Sequence, residues 1–212
     1  MPIVTRWNRQ HPATLDLSSK AHLLRRARLR PCPFSLIADH GALCSDIASS
    51  MPPITAFLQT LNDACRLGRA LESLRPCDEI LIVDHGSTDS TLRIASEYGA
   101  TIRNSPPNSS IAEHLPPARH EWIFCILPTE TLTESLEASL FEWKLYTPGH
   151  VAQIASASVI VKDEAKNSGA EAVTSTRLVP KSWSLWDGPL PQHDPRSLLL
   201  QGDLLRFCST PR

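Results

Sequence analysis

From Met51 onward, short apolar runs alternate with amphipathic stretches. ITAFLQT, EILIVD, ATIRN and EWIFCIL each carry a compact apolar core and predict four strands. EILIVD is almost continuously apolar, as strands covered on both faces are. Between the first two runs, Leu67, Ala70, Leu71 and Leu74 recur at helical spacing, with Asn62 or Asp63 placed to cap a helix over ACRLGRALESL. STLRIASEYG predicts a second helix, with Ser87 and Thr88 as its caps and Gly99 closing it. TLTESLEASLFEWKLY predicts a third, with Leu132, Leu136 and Leu140 one turn apart. VAQIASASVIVKD and EAVTSTRLVP read as strands, and SLLLQGDLLRF near the end as an amphipathic helix. SPPNSSIAEHLPPARH is a proline-rich loop with a turn or two of helix at most. The order β-α-β-α-β-loop-β-α-β-β predicts an α/β sandwich with a mainly parallel sheet.

Residues 1–50 have a different character. They carry a net charge of +4, against −5 for residues 51–212. Their one candidate helix, Ser18 to Arg30, is basic and is stopped by PCP. A basic helix can touch membranes or acidic partners; the expectation here is a poorly ordered extension ahead of a domain spanning 51–212. A start at Met51 would account for the break in composition.

The 42% hydrophobic content supports a packed core, and eighteen prolines against eight glycines predict irregular connections. A net charge of −1 gives no general attraction to nucleic acid. No apolar run approaches the roughly 18 to 20 residues of a membrane span, and the first residues lack the apolar core of a secretory signal. Six cysteines without a C-x-x-C pair or zinc spacing suit a reducing compartment without disulfides. The expected location is cytoplasmic, with at most peripheral membrane contact.

The chemistry concentrates in EILIVDHGSTDST. In an open parallel sheet, ligands bind beyond the carboxyl ends of the strands. Asp84 ends its strand there, Gly86 permits a tight turn, and Ser87 and Thr88 follow. A carboxylate at that edge can accept hydrogen bonds from a base or a ribose. The same pattern also serves a strand end and a helix start with nothing bound.

The run from Ile54 to Ile102 resembles the N-terminal half of family 2 glycosyltransferases of the GT-A fold, in particular those of lipopolysaccharide core or cell-envelope glycan assembly. Thr60-Leu61-Asn62-Asp63 stands where the family has Thr-x-Asn-Glu. Asp78, Glu79, Ile80, Val83, Asp84, Gly86, Ser87, Thr88, Asp89 and Thr91 match its next signature. The resemblance implies a GT-A three-layer sandwich and inverting transfer of a sugar from a nucleotide-sugar donor to a glycan or lipid-linked acceptor. It implies that Asp84 contacts the donor nucleotide, with Thr60, Asn62, Gly86 and Ser87 around it.

The family then holds a divalent cation, Mg²⁺ or Mn²⁺, with Asp-x-Asp-Glu. Here Leu127 and Thr129 replace the aspartates and Glu130 alone remains. Three alternatives stay open. Glu130 and His193 hold a metal weakly, cationic side chains such as Arg177 neutralise the diphosphate, or the domain binds a nucleotide sugar or a partner without catalysis. The resemblance further implies Asp194 as the base that deprotonates the acceptor. Trp183 and Trp186 are candidates for stacking on a sugar and equally for packing. A nucleotidyltransferase is disfavoured, because TLNDACRLG is not a Gly-rich, basic loop.

Overall fold

The computed structural model describes residues 51–106, 109–164 and 172–207. The expectations for residues 1–50, and cysteines 32, 44 and 208, lie outside these residues.

An eight-stranded sheet forms the middle layer. Its strands are β1 (Ile54–Thr60), β2 (Glu79–Asp84), β3 (Thr101–Asn104), β4 (Trp122–Cys125), β5 (Glu130–Leu132), β6 (Ala157–Asp163), β7 (Val173–Pro180) and β10 (Leu198–Arg206), in the order β3-β2-β1-β4-β7-β6-β10-β5. Pairs β1–β2, β2–β3, β1–β4 and β6–β10 are parallel; β4–β7, β6–β7 and β5–β10 are antiparallel. The mainly parallel α/β architecture expected from the sequence is therefore present. A small hairpin, β8 (Trp186–Asp187) with β9 (Leu190–Pro191), stands apart from the sheet.

Strand alternation assigns the two faces. Ile54, Ala56 and Leu58 of β1, Ile82 of β2 and Phe124 of β4 pack with the helices α1 (Ala64–Glu72), α2 (Thr91–Glu97) and α4 (Glu134–Trp143). Trp122 meets Trp143 edge to face, with ring centroids 4.8 Å apart. Phe57, Leu81, Val83, Ile123 and Cys125 point the other way. They are covered by the short α3 (Ile111–His114), Leu115, Ala118, and the loop bearing Trp183, Trp186 and Leu190. Both tryptophans are half-buried on this thinner layer, so packing is part of their role. A further short helix, α5 (Pro148–Val151), precedes β6.

Several expectations are corrected. SLLLQGDLLRF is not a helix: its residues 198–206 form β10, parallel to β6 and antiparallel to β5. Gly202 makes this possible. Its φ is +93°, and a Cβ there would lie 2.3 Å from the Leu136 nitrogen, so only glycine lets the strand pass α4 this closely. The fourth strand stops at Cys125, and β5 begins separately at Glu130. The third helix starts at Glu134, after Thr131 and Leu132 have joined β5. Gln153 and the residues before it are not strand; β6 begins at Ala157.

Candidate functional site

Thr60, Asp84 and Asn104 are in register at the carboxyl ends of β1, β2 and β3. Beyond them the chain turns through 61–63 and 85–90, and leaves β3 at Ser105 and Pro106. The polar residues of the DHGSTDST stretch stitch the two turns together. Asp84 is 1% exposed. One carboxylate oxygen accepts from the amides of Gly86 at 3.0 Å and Ser87 at 2.8 Å; the other accepts from the hydroxyls of Thr60 at 3.1 Å and Ser87. Burial alone would raise the pKa of Asp84, but the hydrogen bonds from Ser87, Gly86 and Thr60 hold it below the usual carboxylate range. Gly86, at φ +96°, supplies the turn that aims both amides back at the carboxylate.

Ser87 and Thr88 do not cap the following helix. The Ser87 hydroxyl accepts from the Asn62 amide at 2.9 Å, and the Asn62 side-chain oxygen accepts from the Thr88 amide at 2.8 Å. Asn62 takes φ +56°, a conformation that asparagine tolerates better than most residues. Asp89 does the capping instead: its carboxylate accepts from the amides of Thr91 at 2.9 Å and Ala64 at 3.1 Å, so it holds the first turns of α2 and α1 together. Asp63 accepts from the Leu61 amide and the Arg66 side chain rather than from a backbone amide of its helix. Thr60, Asn62, Asp84, Gly86 and Ser87 are thus brought together, as the sequence suggested, and they serve first as the frame of the ledge.

Two adjoining cavities open on this ledge. One, of about 450 Å³, is lined by Asp84, His85, Gly86, Ser87, Leu92, Asn104, Ser105 and Pro106. The other, of about 400 Å³, lies between Gln59, His85, Ser109, Ser110 and the Trp186–Pro189 turn. His85 belongs to both. Its Nε2 faces the Gln59 side-chain oxygen at 3.3 Å, and its Nδ1 faces the carbonyls of Ser105 and Pro106, each at 3.3 Å. His114, given no role from the sequence, bonds Ser109 at 2.7 Å and Ser105 at 3.1 Å. His85, Asn104 and Ser105 were not singled out as binding residues from the sequence. The signal for them was positional: each follows the carboxyl end of a parallel strand.

Glu130 and Arg177 belong to a different arrangement at the same edge of the sheet. Both are 0% exposed. Arg177 is the extra residue where Ala157 pairs with Leu178 but Ser158 pairs with Thr176, a bulge that re-aims its side chain. Its guanidinium donates to both oxygens of Glu130, at 2.8 and 2.9 Å, and to the Cys125 carbonyl at 3.3 Å. Glu130 also accepts from Arg206 of β10 at 3.0 Å and from the Leu127 amide at 3.0 Å.

Every acceptor direction of Glu130 is therefore committed inside the protein. Leu127 has no ligating atom, and His193 is exposed. Among the described residues no group of three or more His, Cys, Asp or Glu side chains is placed to hold a metal ion. The Glu130 carboxylate, held by two arginines and the Leu127 amide, does not fit as a ligand of the divalent cation implied by the resemblance, since it has no lone pair to give in this arrangement.

Asp194 is not part of the ledge. Its carboxylate accepts from the Ser156 hydroxyl at 2.7 Å and the Arg196 amide at 2.9 Å, at the amino-terminal start of β6. The Asp194 amide donates to the Thr176 hydroxyl at 2.8 Å, beside Arg177 on β7. The bonds from Ser156 and Arg196 hold its pKa below the usual carboxylate range.

No protein-family profile matches this chain, and no curated protein matches it in sequence. Solved structures do resemble it. Staphylococcus aureus TarS, residues 1–349, aligns with a TM-score of 0.41 at 17% identity, over 56% of this chain and 38% of that one. Glucosyl-3-phosphoglycerate synthase from Mycobacterium tuberculosis, in complex with Mn²⁺, uridine diphosphate and phosphoglyceric acid, aligns at 0.42 and 17%, over 57% of this chain and 46% of that one. The same synthase with Mn²⁺, uridine-diphosphate-glucose and phosphoglyceric acid aligns at 0.41 and 18%, over 57% and 46%. The chain spans less than half the length of each. Among the described residues no helix is long and apolar enough to cross a membrane.

Proposed function

We propose that this protein is a nucleotide-sugar-binding domain of the glycosyltransferase type, with the donor seated on the Asp84 ledge. The observation that carries this is the crevice at the carboxyl ends of β1, β2 and β3, framed by the residues of the family-like signature. Asp84 sets the backbone of the turn, and Ser87, Asn104, Ser105 and His85 present polar groups to a base or ribose. The activity such binding serves is transfer of the sugar, with inversion, to a glycan or lipid-linked acceptor. We place the protein in the cytoplasm, with at most peripheral contact at the inner face of the membrane. The resemblance to cell-envelope glycan enzymes supports that placement.

A second reading is binding without turnover. The locked Glu130 favours it, as does the absence of Asp194 from the lining of both ledge cavities. No lysine or arginine lines the ledge cavities among the described residues, so little there offsets a departing diphosphate.

Calorimetric titration of the full chain with UDP, GDP and their sugar conjugates, in Mn²⁺ or in EDTA, tests both. Binding of equal strength in the two buffers is the expected result. A subsequent donor-hydrolysis or transfer assay separates the transferase from the binder. Absence of binding across the panel would sink the nucleotide assignment.

A further inference from the structure

The cavity beside the ledge has a composition of its own. Its 400 Å³ lies within the range of about 300–1,000 Å³ typical of small-molecule sites. One wall is Trp186. The indole N–H donates to the Trp183 carbonyl at 3.0 Å, and the Trp183 N–H to the Leu185 carbonyl, so the loop itself consumes both donors and fixes the Trp186 ring. What Trp186 can offer a ligand is therefore its apolar ring. The opposite side supplies neutral hydrogen-bonding groups: the Gln59 amide and the hydroxyls of Ser109 and Ser110. Among the described residues no carboxylate, lysine or arginine lines the cavity, and His85 is the one titratable group there.

A flat aromatic surface facing neutral amide and hydroxyl groups matches one chemistry well. A pyranose ring has an apolar C–H face that lies on an indole and an equatorial ring of hydroxyls that need such partners. The Ser109 hydroxyl is already bonded to the Pro106 carbonyl and His114, but an acyl chain would leave the Gln59 amide nitrogen and the Ser110 hydroxyl without hydrogen bonds. A phosphorylated or carboxylated acceptor would find no cation beyond His85.

We infer that this cavity binds a neutral saccharide unit of the acceptor, with Trp186 as its stacking platform and Gln59 and Ser110 as its hydrogen-bonding side. This deepens the proposed function and rests on it for the word acceptor. The shared wall at His85 sets the saccharide directly beside the donor ledge.

The test uses saturation-transfer NMR and calorimetry on the full chain. The probes are three neutral trisaccharides, maltotriose, cellotriose and N,N′,N″-triacetylchitotriose, with trigalacturonic acid as the charged control. UDP and UDP-glucose affinities are measured on the same samples. At least one neutral trisaccharide is expected to bind, and the charged one not. Trp186→Ala should weaken binding about 10-fold or more, and Trp186→Phe by far less, since it keeps a ring. Gln59→Ala should weaken it about 2- to 12-fold. Folding of each variant is checked by its amide spectrum, and Gln59→Ala keeps the test valid should Trp186→Ala unfold.

Four results would overturn the inference: no neutral trisaccharide bound, equal binding of the charged control, variants without effect, or a loss in Trp186→Ala confined to UDP-glucose relative to UDP. The last would make the cavity a donor-sugar site. Trisaccharide binding without UDP binding would instead refute the nucleotide assignment and leave the saccharide site standing.

Discussion

Replacing Glu130 by alanine should be among the most damaging single changes in this chain. In the parent, Arg177 is 0% exposed and its charge is met by both oxygens of Glu130. After Glu130→Ala it retains the Ser175 hydroxyl at 3.1 Å and the Cys125 carbonyl at 3.3 Å, neither of them charged. Removing one partner of a buried ion pair costs about 3–5 kcal/mol, because the other charge stays buried without compensation. For a domain of this size each kcal/mol lowers Tm by about 2–4 °C, so the expected fall is about 6–20 °C. Arg177→Leu should cost less, since Glu130 keeps Arg206 and the Leu127 amide. The double replacement Glu130→Met with Arg177→Leu should recover much of the loss, as apolar substitutes for buried pairs often do. Urea denaturation of the parent, Glu130→Met, Arg177→Leu and the double variant gives the coupling energy directly. A Glu130→Ala variant within about 1 kcal/mol of the parent would refute the structural role assigned to the pair. So would a Tm of the parent that rises with Mn²⁺ and loses that rise in Glu130→Ala.

Further outcomes follow from the same geometry. Asp84→Asn leaves at least one of the Gly86 and Ser87 amides or the Thr60 and Ser87 hydroxyls poorly met, at a cost of about 1–3 kcal/mol by denaturation. Because the folded pKa of Asp84 is depressed, its contribution is complete above the unfolded value near about 3.9 and is lost as pH falls through the folded one, so Asp84→Asn should flatten the acid limb of the stability profile. Gly202→Ala combines a positive φ with a 2.3 Å clash on α4 and should cost about 2–6 kcal/mol; Gly86→Ala has open space around it and should cost only the backbone strain of about 1–3 kcal/mol. Burial pushes the thiols of Cys77 and Cys125 up to about 12, so iodoacetamide at pH 8, mapped by mass spectrometry, should label exposed Cys65 and spare both.

The parts of the structure legible in the sequence are those with local causes. EILIVD announced a buried parallel strand, and Leu67, Ala70 and Leu71 announced the buried stripe of α1. Gly99 closes α2 as expected, with the amides of Gly99 and Ala100 returning to Ser96 and Ala95. Around β10 the pattern was ambiguous. Leu200 and Leu204 are buried four apart, a spacing that suits one helix face and also one strand face. The outcome was decided by Gly202 against α4 and by pairing with β6 and β5, none of which is local.

The same limit governs the site. Asp84, Ser87 and Asn62 lie within 26 residues of one another and share a recognisable motif, so their clustering could be read. Glu130, Arg177 and Arg206 are separated by 47 and 76 positions, and nothing near Arg206 marks it as a partner. Seen alone, Glu130 was a remnant of a metal motif; its partners make it a structural anion. Asp194 followed a family pattern at a spacing longer than that pattern has; its carboxylate is bonded to Ser156 and the Arg196 amide, and it lines neither ledge cavity.

The ledge itself is tested most directly by mapping amide chemical shifts of the full chain during titration with UDP-glucose in EDTA. The account predicts saturable shifts concentrated at His85, Gly86, Ser87, Asn104 and Ser105, with the amides around Asp194 and Glu130 little moved. Shifts centred on Glu130 or Asp194, or a spectrum unchanged at millimolar ligand, would contradict it.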